Sequence, residues 1–312
     1  MTAETYSIAA IVPCHNEVAA VGKVVSDLKA AIPGVTVYVY DNRSSDGTDE
    51  VARAAGAIVR YENLKGKGNV VRRAFADIEA DIYLLIDGDD TYDAFAAPQM
   101  IDTLVSGPFD HVLGVREQIT ETAYRAGHEA GNKAFNRFVS SVFGTPVNDM
   151  LSGYRIFSRR FVKSFPAVSR EFEIETELTV HCMSLRIPST EVKVGFKDRP
   201  EGSESKLSTY RDGFKILGLI LQLIRHERPL AFHSAIGLLL FVTALILGIP
   251  VIIDFVQTGL VPRFPTAFLS SSIVVLGVVV TTFGFVLDAI TKTRREIARM
   301  GYLALSAVRT KN

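Results

Sequence analysis

Four carboxylates, Asp87, Asp89, Asp90 and Asp93, stand at the end of an apolar run in the stretch IYLLIDGDDTYD, Ile82 to Asp93. Carboxylates this close repel one another unless a cation lies between them, so the chemistry on offer is capture of a divalent metal by hard oxygen donors. The apolar residues ending at Ile86 read as a buried parallel strand. In an open α/β sheet, ligands bind in the crevice beyond the carboxyl ends of such strands. A solvated acidic turn with an Asp helix cap is the competing reading of Asp-Gly-Asp taken alone.

The segments before this run must position it. Ser7 to Pro13 (SIAAIVP) reads as a first buried strand, and CHNE turns it into a helix from about Val18 to Ala31, with Asn16 or Glu17 able to cap the first turn. Pro33-Gly34 stops that helix. Val35 to Tyr40 is a second strand ending at Asp41, and the turn NRSSDGT leads into a helix through Ala55. Ala57 to Tyr61 reads as a third strand, Lys65-Gly66-Lys67-Gly68 as a basic turn, and Asn69 to Glu79 as a helix. The β-α-β-α-β-α-β order is that of a doubly wound, mostly parallel Rossmann-like sheet with right-handed crossovers. A dinucleotide-binding domain would carry its glycine fingerprint after the first strand, where this chain has PCHNE, and no phosphate-binding P-loop motif is present.

The segments IVPCHNE, YDNRSSDGT, GKGN, DGDD, DMLSGYRIFSRR, EFEIETELTV and RPEGSESKLSTYRDG resemble, in order and spacing, family 2 glycosyltransferases of the GT-A fold. Within them the likeness is to the polyprenyl-phosphate group, similar to dolichyl-phosphate mannose synthases, over roughly Ile8 to Gly213. The resemblance implies that Pro13, Asn16 and Glu17 form the first nucleotide-contacting turn, that Asp41 reads the base, and that Lys67 meets ribose or diphosphate. Asp87, Gly88 and Asp89 match the DxD segment, whose acids would hold Mg2+ or Mn2+ against the diphosphate, Asp89 being the better choice for direct ligation. Many relatives have Asp-Ala-Asp here, so Asp90 or Asp93 could add outer ligands. The base-reading turn has Asp41-Asn42 where many members have two acids. Arg116, read as following a strand over Asp110 to Val115, matches an arginine of an acceptor loop, with Arg125, His128 and Lys133 as local substitutes for a second arginine. Arg199, Ser205 and Lys206 match a segment near the acceptor phosphate. Asp149 matches an acid near the reacting centre, orienting a substrate or capping a turn, and Ser152-Gly153 suits close backbone approach. Glu175 gains a sugar-binding role from its motif, against the simpler reading of first-turn acids favouring a helix dipole.

The C-terminal third has a different character. Leu230 to Phe255 and Ala267 to Ile290 are apolar runs long enough to cross a bilayer, which needs roughly 20 residues. Arg225 and Arg228 precede them, Lys292, Arg294, Arg295, Arg299, Arg309 and Lys311 follow, and the connecting loop has only Arg263. The positive-inside rule then puts the catalytic domain and both termini in the cytoplasm, as a multi-pass protein of the cytoplasmic membrane. Tyr210 to Arg225 carries Phe214, Leu217, Leu221 and Ile224 at helical spacing and reads as an amphipathic interfacial helix. A formal net charge of zero gives no electrostatic case for nucleic acid. Cys14 and Cys182, read in a reducing compartment, are expected unbridged, and His15, His111, His181, His226 and His233 sit in no catalytic motif.

These readings divide the chain into a GT-A domain (1–209), an interfacial segment (210–229), two transmembrane helices (230–291) and a basic tail (292–312). The implied function is metal-dependent, inverting transfer of a sugar from a nucleotide-sugar, a UDP-hexose or UDP-N-acetylhexosamine being favoured, to a membrane polyprenyl phosphate. The product would serve cell-envelope glycans or glycoconjugates, a separate flippase is expected, and homo-oligomerisation stays open. A processive polysaccharide synthase would need a Gln-x-x-Arg-Trp motif, and the sequence has no tryptophan. A nucleotidyltransferase would have no use for a membrane hairpin. A catalytically silent anchor recruiting a flippase or transferase is the alternative from another class, and retention of Asp87 and Asp89 argues against it.

Overall fold

The structure, a computed structural model, describes residues 6–118, 147–166, 174–197, 218, 221–222 and 224–308. It forms two compact units, one of Met1–Gly213 with Ile297–Asn312 and one of Phe214–Glu296. In the first, the described elements run β1 (Ile8–Cys14), α1 (Val21–Ala31), β2 (Thr36–Asp41), α2 (Thr48–Ala54), β3 (Ile58–Tyr61), α3 (Lys67–Asp77), β4 (Ile82–Leu85), α4 (Ala97–Ser106), β5 (His111–Gln118), β6 (Arg155–Ser158), α5 (Arg159–Ser164), α6 (Ile174–Ser184) and β7 (Ser189–Phe196).

The strands make a seven-stranded sheet in the order β3-β2-β1-β4-β6-β5-β7. Among the described strands only β6 is reversed, antiparallel to both β4 and β5. The apolar runs of β1 and β4 have no polar alternation because both faces are covered. Ala10, Val12 and Leu84 face a layer with Val21, Val25 and Leu28 of α1 and Met100 and Leu104 of α4. Ala9, Ile11, Tyr83 and Leu85 face the opposite layer with Val71 and Phe75 of α3, Phe161 of α5 and Leu178 of α6. This is a mostly parallel, Rossmann-like GT-A sheet. Its strand order turns back between β1 and β4, and the crevice at such a point is the natural ligand site.

Two local readings need correction. The first helix begins at Val21 rather than near Val18, and neither Asn16 nor Glu17 caps it with a side chain. Asn16 instead adopts a left-handed backbone (φ 57°). Its Oδ1 accepts from Ser45 N at 2.9 Å, so the loop after β2 has claimed it. Arg116 lies within β5 rather than after it, because β7 continues to pair with β5 as far as Gln118↔Phe196.

The second unit contains α7 (Pro229–Thr258), and α8 (Phe264–Leu303) runs from this unit into the residues grouped with the first. Gly237, Ala244 and Val251, one heptad apart, are the residues α7 buries along its middle. They meet small residues of α8: Ser270 Oγ donates to Ala244 O at 2.9 Å. An added methyl on Gly237 would overlap Thr281 Oγ1, and one on Gly284 would lie 2.9 Å from His233 Cβ. The pairs run in opposite directions along the two helices, an antiparallel hairpin with small residues in its seam. The outer faces stay bare: Leu239 is 66% exposed, Ile246 67% and Val256 77%. Most of the proposed interfacial helix lies outside the described residues.

Candidate active site

Strand register gathers the expected groups. Cys14 pairs with Asp41 across β1 and β2, and Ile86 N donates to Ile11 O at 3.2 Å, so the ends of β1, β2 and β4 converge. Cys14 is buried beneath this convergence, and its thiol is pushed well above the ordinary range by burial and then by Glu17, Asp41, Asp87 and Asp89. That field makes the thiol inert and marks the four carboxylates as neighbours. Gly88 is required by the same packing: a methyl there would overlap Cys14 Sγ and stand 3.3 Å from Pro13 O.

Lys67 opens α3 and reaches into the cluster. Its ammonium pairs with Asp87 Oδ1 and, at 2.5 Å, with Glu175 Oε1 from the first turn of α6. Burial opposes the charged form, but Asp87 and Glu175 outweigh it and hold the ammonium above its usual range. Gly153 closes over the pair, since a methyl on it would overlap Asp87 Oδ2 and lie 2.9 Å from Lys67 Nζ. The turn carrying Lys67 is held by Asn42, which donates to Glu62 O (2.7 Å) and Leu64 O (2.8 Å) and accepts from Gly66 N (2.7 Å). Asp41 Oδ1 accepts from Ser44 N at 3.1 Å. Its Oδ2 is buried with no hydrogen-bond partner among the described residues.

Asp89 is 5% exposed, and its Oδ1 accepts from Thr91 Oγ1 at 2.7 Å. The neighbouring acids are engaged elsewhere. Asp90, at φ 56°, joins Lys23 (3.3 Å) to Lys197 (2.8 Å), and Asp93 accepts from Phe95 N at 2.9 Å to cap a short 3-10 turn over Ala94–Ala96. Asp90 thus has two ammonium partners and Asp93 a capping bond, whereas Asp87 and Asp89 face the Cys14 thiol. No cluster of three His, Cys, Asp or Glu ligands occurs among the described residues. Two hard carboxylates at the end of one strand still suit Mg2+ or Mn2+.

Arg116 and Asp149 are given to each other: Nε and an Nη each donate at 2.7 Å to the two oxygens of Asp149. The guanidinium also lies 5.3 Å from the centre of the Phe196 ring. The loop bearing Asp149 is held from below. Ser152 Oγ donates to Gly114 O (2.6 Å) and Gly153 N to Tyr92 Oη (2.9 Å), while burial pushes the Tyr92 phenol up to about 12, so it stays neutral. Arg155, fully buried, donates to Ser152 O (2.8 Å), Met150 O (2.7 Å) and Thr179 Oγ1 (2.8 Å).

Comparison with known proteins agrees with this geometry. The profile of "Glycosyl transferase family 2" matches residues 9–165. Glycosyltransferase AglJ of Haloferax volcanii is 33% identical over 93% of this chain and 95% of its own. The chain belongs to glycosyl transferase family 2. A dolichyl-phosphate hexose transferase of the same organism is 29% identical over 73% of this chain and 99% of its own. Among solved structures, glucosyl-3-phosphoglycerate synthase of Mycobacterium tuberculosis, in complex with Mn2+, uridine diphosphate and glucosyl-3-phosphoglycerate, shares the fold: TM-score 0.57, 21% identity, 71% of this chain and 80% of that one.

Of the expected site residues of this glycosyltransferase, Pro13, Glu17, Asp41, Lys67, Asp87, Gly88, Asp89 and Glu175 fall at the converging strand ends and their flanking helices. Arg116 and Asp149 form their own pair on β5 and the following loop. Lys133, Arg199, Ser205 and Lys206, with Arg125 and His128, lie outside the described residues. Sequence reasoning missed Tyr92 and Arg155, and it placed Asn42 in the base-reading turn without its role in holding the turn of Lys67. A charge inside the apolar stretch YRIF was the available signal for Arg155. No spacing rule marks Tyr92.

Proposed function

We propose that the enzyme moves a sugar from a nucleotide-sugar, favoured as a UDP-hexose or UDP-N-acetylhexosamine, to the phosphate of a membrane polyprenyl phosphate. The observation that carries the lipid acceptor is the bare apolar surface of α7 and α8, on which Leu239, Ile246 and Val256 of the first and Phe268 and Phe283 of the second are all more than half exposed in a family 2 chain. That surface supports insertion in a bilayer, and the basic flanks support a cytoplasmic catalytic domain. The name of the dolichyl-phosphate hexose transferase relative supports the same acceptor class. The uridine diphosphate and Mn2+ of the mycobacterial neighbour support the donor and metal classes. The product would feed envelope glycans or glycoconjugates after a separate flippase has moved it.

In this reading the nucleobase N–H meets the unpartnered Asp41 Oδ2, with Asn16 and Glu17 beside it. Lys67 turns toward the diphosphate while Glu175 keeps its ammonium in reach. Asp87 and Asp89 would hold Mg2+ or Mn2+, which when bound neutralises charge on the departing nucleoside diphosphate. The acceptor phosphate is already largely ionised near neutral pH, its second pKa being about 6, so no strong general base is needed. Its oxygen attacks the anomeric carbon in line, the bond to the nucleoside diphosphate breaks, and the configuration inverts. Arg116, oriented by Asp149, supplies positive charge for the incoming anion, with Lys133, Arg199, Ser205 and Lys206 as further phosphate ligands. Catalysis is mainly the alignment of two anions that would otherwise repel.

The test is an assay of the purified full chain in detergent with polyprenyl phosphate, a panel of UDP- and GDP-sugars, and Mn2+. A lipid-linked monosaccharide that disappears with EDTA and with Asp89→Ala is the expected result. Absence of product from every donor, with the protein folded and lipid bound, overturns the proposal in favour of a silent partner protein.

A further inference from the structure

Lys67 occupies a position that a metal at Asp87 and Asp89 would contest. Its ammonium is bonded to Asp87 itself, beside the Gly153 backbone, with the lysine side chain 10% exposed and that of Asp87 29%, so the two charges meet in partial shelter from water. A divalent cation on the same carboxylate would face this fixed positive charge. Glu175 sits on the other side of the ammonium at 2.5 Å and is 5% exposed, so it shares the lysine's charge and draws it away from Asp87. Lysine suits an exchange of partners: it is a compact charge on a flexible stem, able to leave a carboxylate for a phosphate oxygen without backbone movement.

From this geometry we infer that Lys67 is an internal counter-cation that keeps the metal affinity of Asp87 low until a nucleoside diphosphate arrives, and that Glu175 is the positioning residue that sets how firmly it does so. The metal and the diphosphate then bind together. The diphosphate takes the ammonium, Asp87 is released toward the metal, and Glu175 prevents the lysine from being lost to solvent. The arrangement limits futile occupation of the crevice by metal alone. This inference rests on the metal and nucleotide reading of the site and is independent of the lipid acceptor.

The experiment measures Mn2+ binding to the full chain in detergent by the loss of the free-ion electron paramagnetic resonance signal, with no acceptor present, with and without UDP. Lys67→Met is expected to tighten Mn2+ binding without UDP by at least about tenfold, from removal of one like charge at close range. Glu175→Gln is expected to weaken it, because the whole lysine charge then falls on Asp87. The enhancement of Mn2+ affinity by UDP should be larger in the parent chain than in Lys67→Met. Asp89→Ala should abolish the signal change and so assign it to this site. Unchanged or weaker Mn2+ binding in a folded Lys67→Met protein overturns the inference, as does tighter binding in Glu175→Gln or binding indifferent to Asp89→Ala. A failure of sugar transfer to polyprenyl phosphate leaves these readouts intact, so the two proposals fail separately.

Discussion

A methyl group on Gly153 would overlap one oxygen of Asp87 and stand 2.9 Å from the Lys67 ammonium. Gly153→Ala should therefore lower nucleotide affinity by about tenfold or more, the scale of a displaced charge-assisted contact, while the far-UV circular dichroism spectrum stays unchanged. UDP titration calorimetry checks this. Gly88 makes a complementary case, because its crowding partner is a single side chain. Gly88→Ala should lower the melting temperature through overlap with Cys14 Sγ, and Cys14→Ala in the same chain should recover part of the loss. Full additivity of the two substitutions would contradict that contact.

At the level of elements, the turn between β3 and α3 depends on one side-chain amide. Asn42 donates twice and accepts once, and it fixes the loop that delivers Lys67. Asn42→Asp replaces the two N–H donors of Nδ2 with one acceptor oxygen facing the carbonyls of Glu62 and Leu64. It should destabilise the fold by about 1–3 kcal/mol, the range for stranded buried polar groups, and thermal melting would show it. The start of β5 carries a pH effect. His111 is buried with neither ring nitrogen hydrogen-bonded among the described residues, stacked on Phe157 with ring centres 5.2 Å apart. Burial, then Arg155 and His181, hold it well below its ordinary value. A depressed histidine is neutral in the fold, so the unfolded chain binds the extra proton. Stability is complete above the unfolded value of about 6.5 and declines as pH falls toward the folded one. The melting temperature should drop below about pH 6.5, and His111→Phe should flatten that part of the profile.

For the whole molecule, the closing residues of α8 belong to the catalytic unit, although the helix begins in the apolar one. Tyr302 is 3% exposed, donates to Asp110 Oδ2 at 2.7 Å, and has the guanidinium groups of Arg160 and Arg299 4.5 and 5.1 Å from its ring centre. Asp110 also accepts from Ser158 Oγ at 2.7 Å, and Arg299 donates to Leu185 O at 2.9 Å. Residues 292–303, read from the sequence as the start of a basic tail, are the last turns of that helix, and Tyr302 fills a place in the second core layer. Tyr302→Phe keeps the ring and removes one bond to a buried carboxylate, so it should cost about 1–3 kcal/mol. Truncation before Ile297 should cost more, because the ring is lost as well. Limited proteolysis of the catalytic unit is the measurement for both.

The sequence by itself determined the parallel sheet, the placing of acids at strand ends, the two apolar helices and membership of the family. Each depends on local periodicity or on residue types in fixed order, which survive without coordinates. The apolar run from Ile82 read as a buried strand, found over Ile82–Leu85, and the family resemblance, more than Asp-Gly-Asp alone, placed Asp41, Asp87 and Asp89 at its crevice. Tertiary structure alone decided who holds whom. Lys67 and Glu175 are 108 positions apart and Tyr302 and Asp110 are 192, distances over which no periodicity carries information. The reversed strand β6, the forked pair of Arg116 with Asp149, and the diversion of Asp90 to Lys23 and Lys197 follow from packing rather than spacing. Charges choose among partners by distance in the fold, and that choice sets which cation each carboxylate holds.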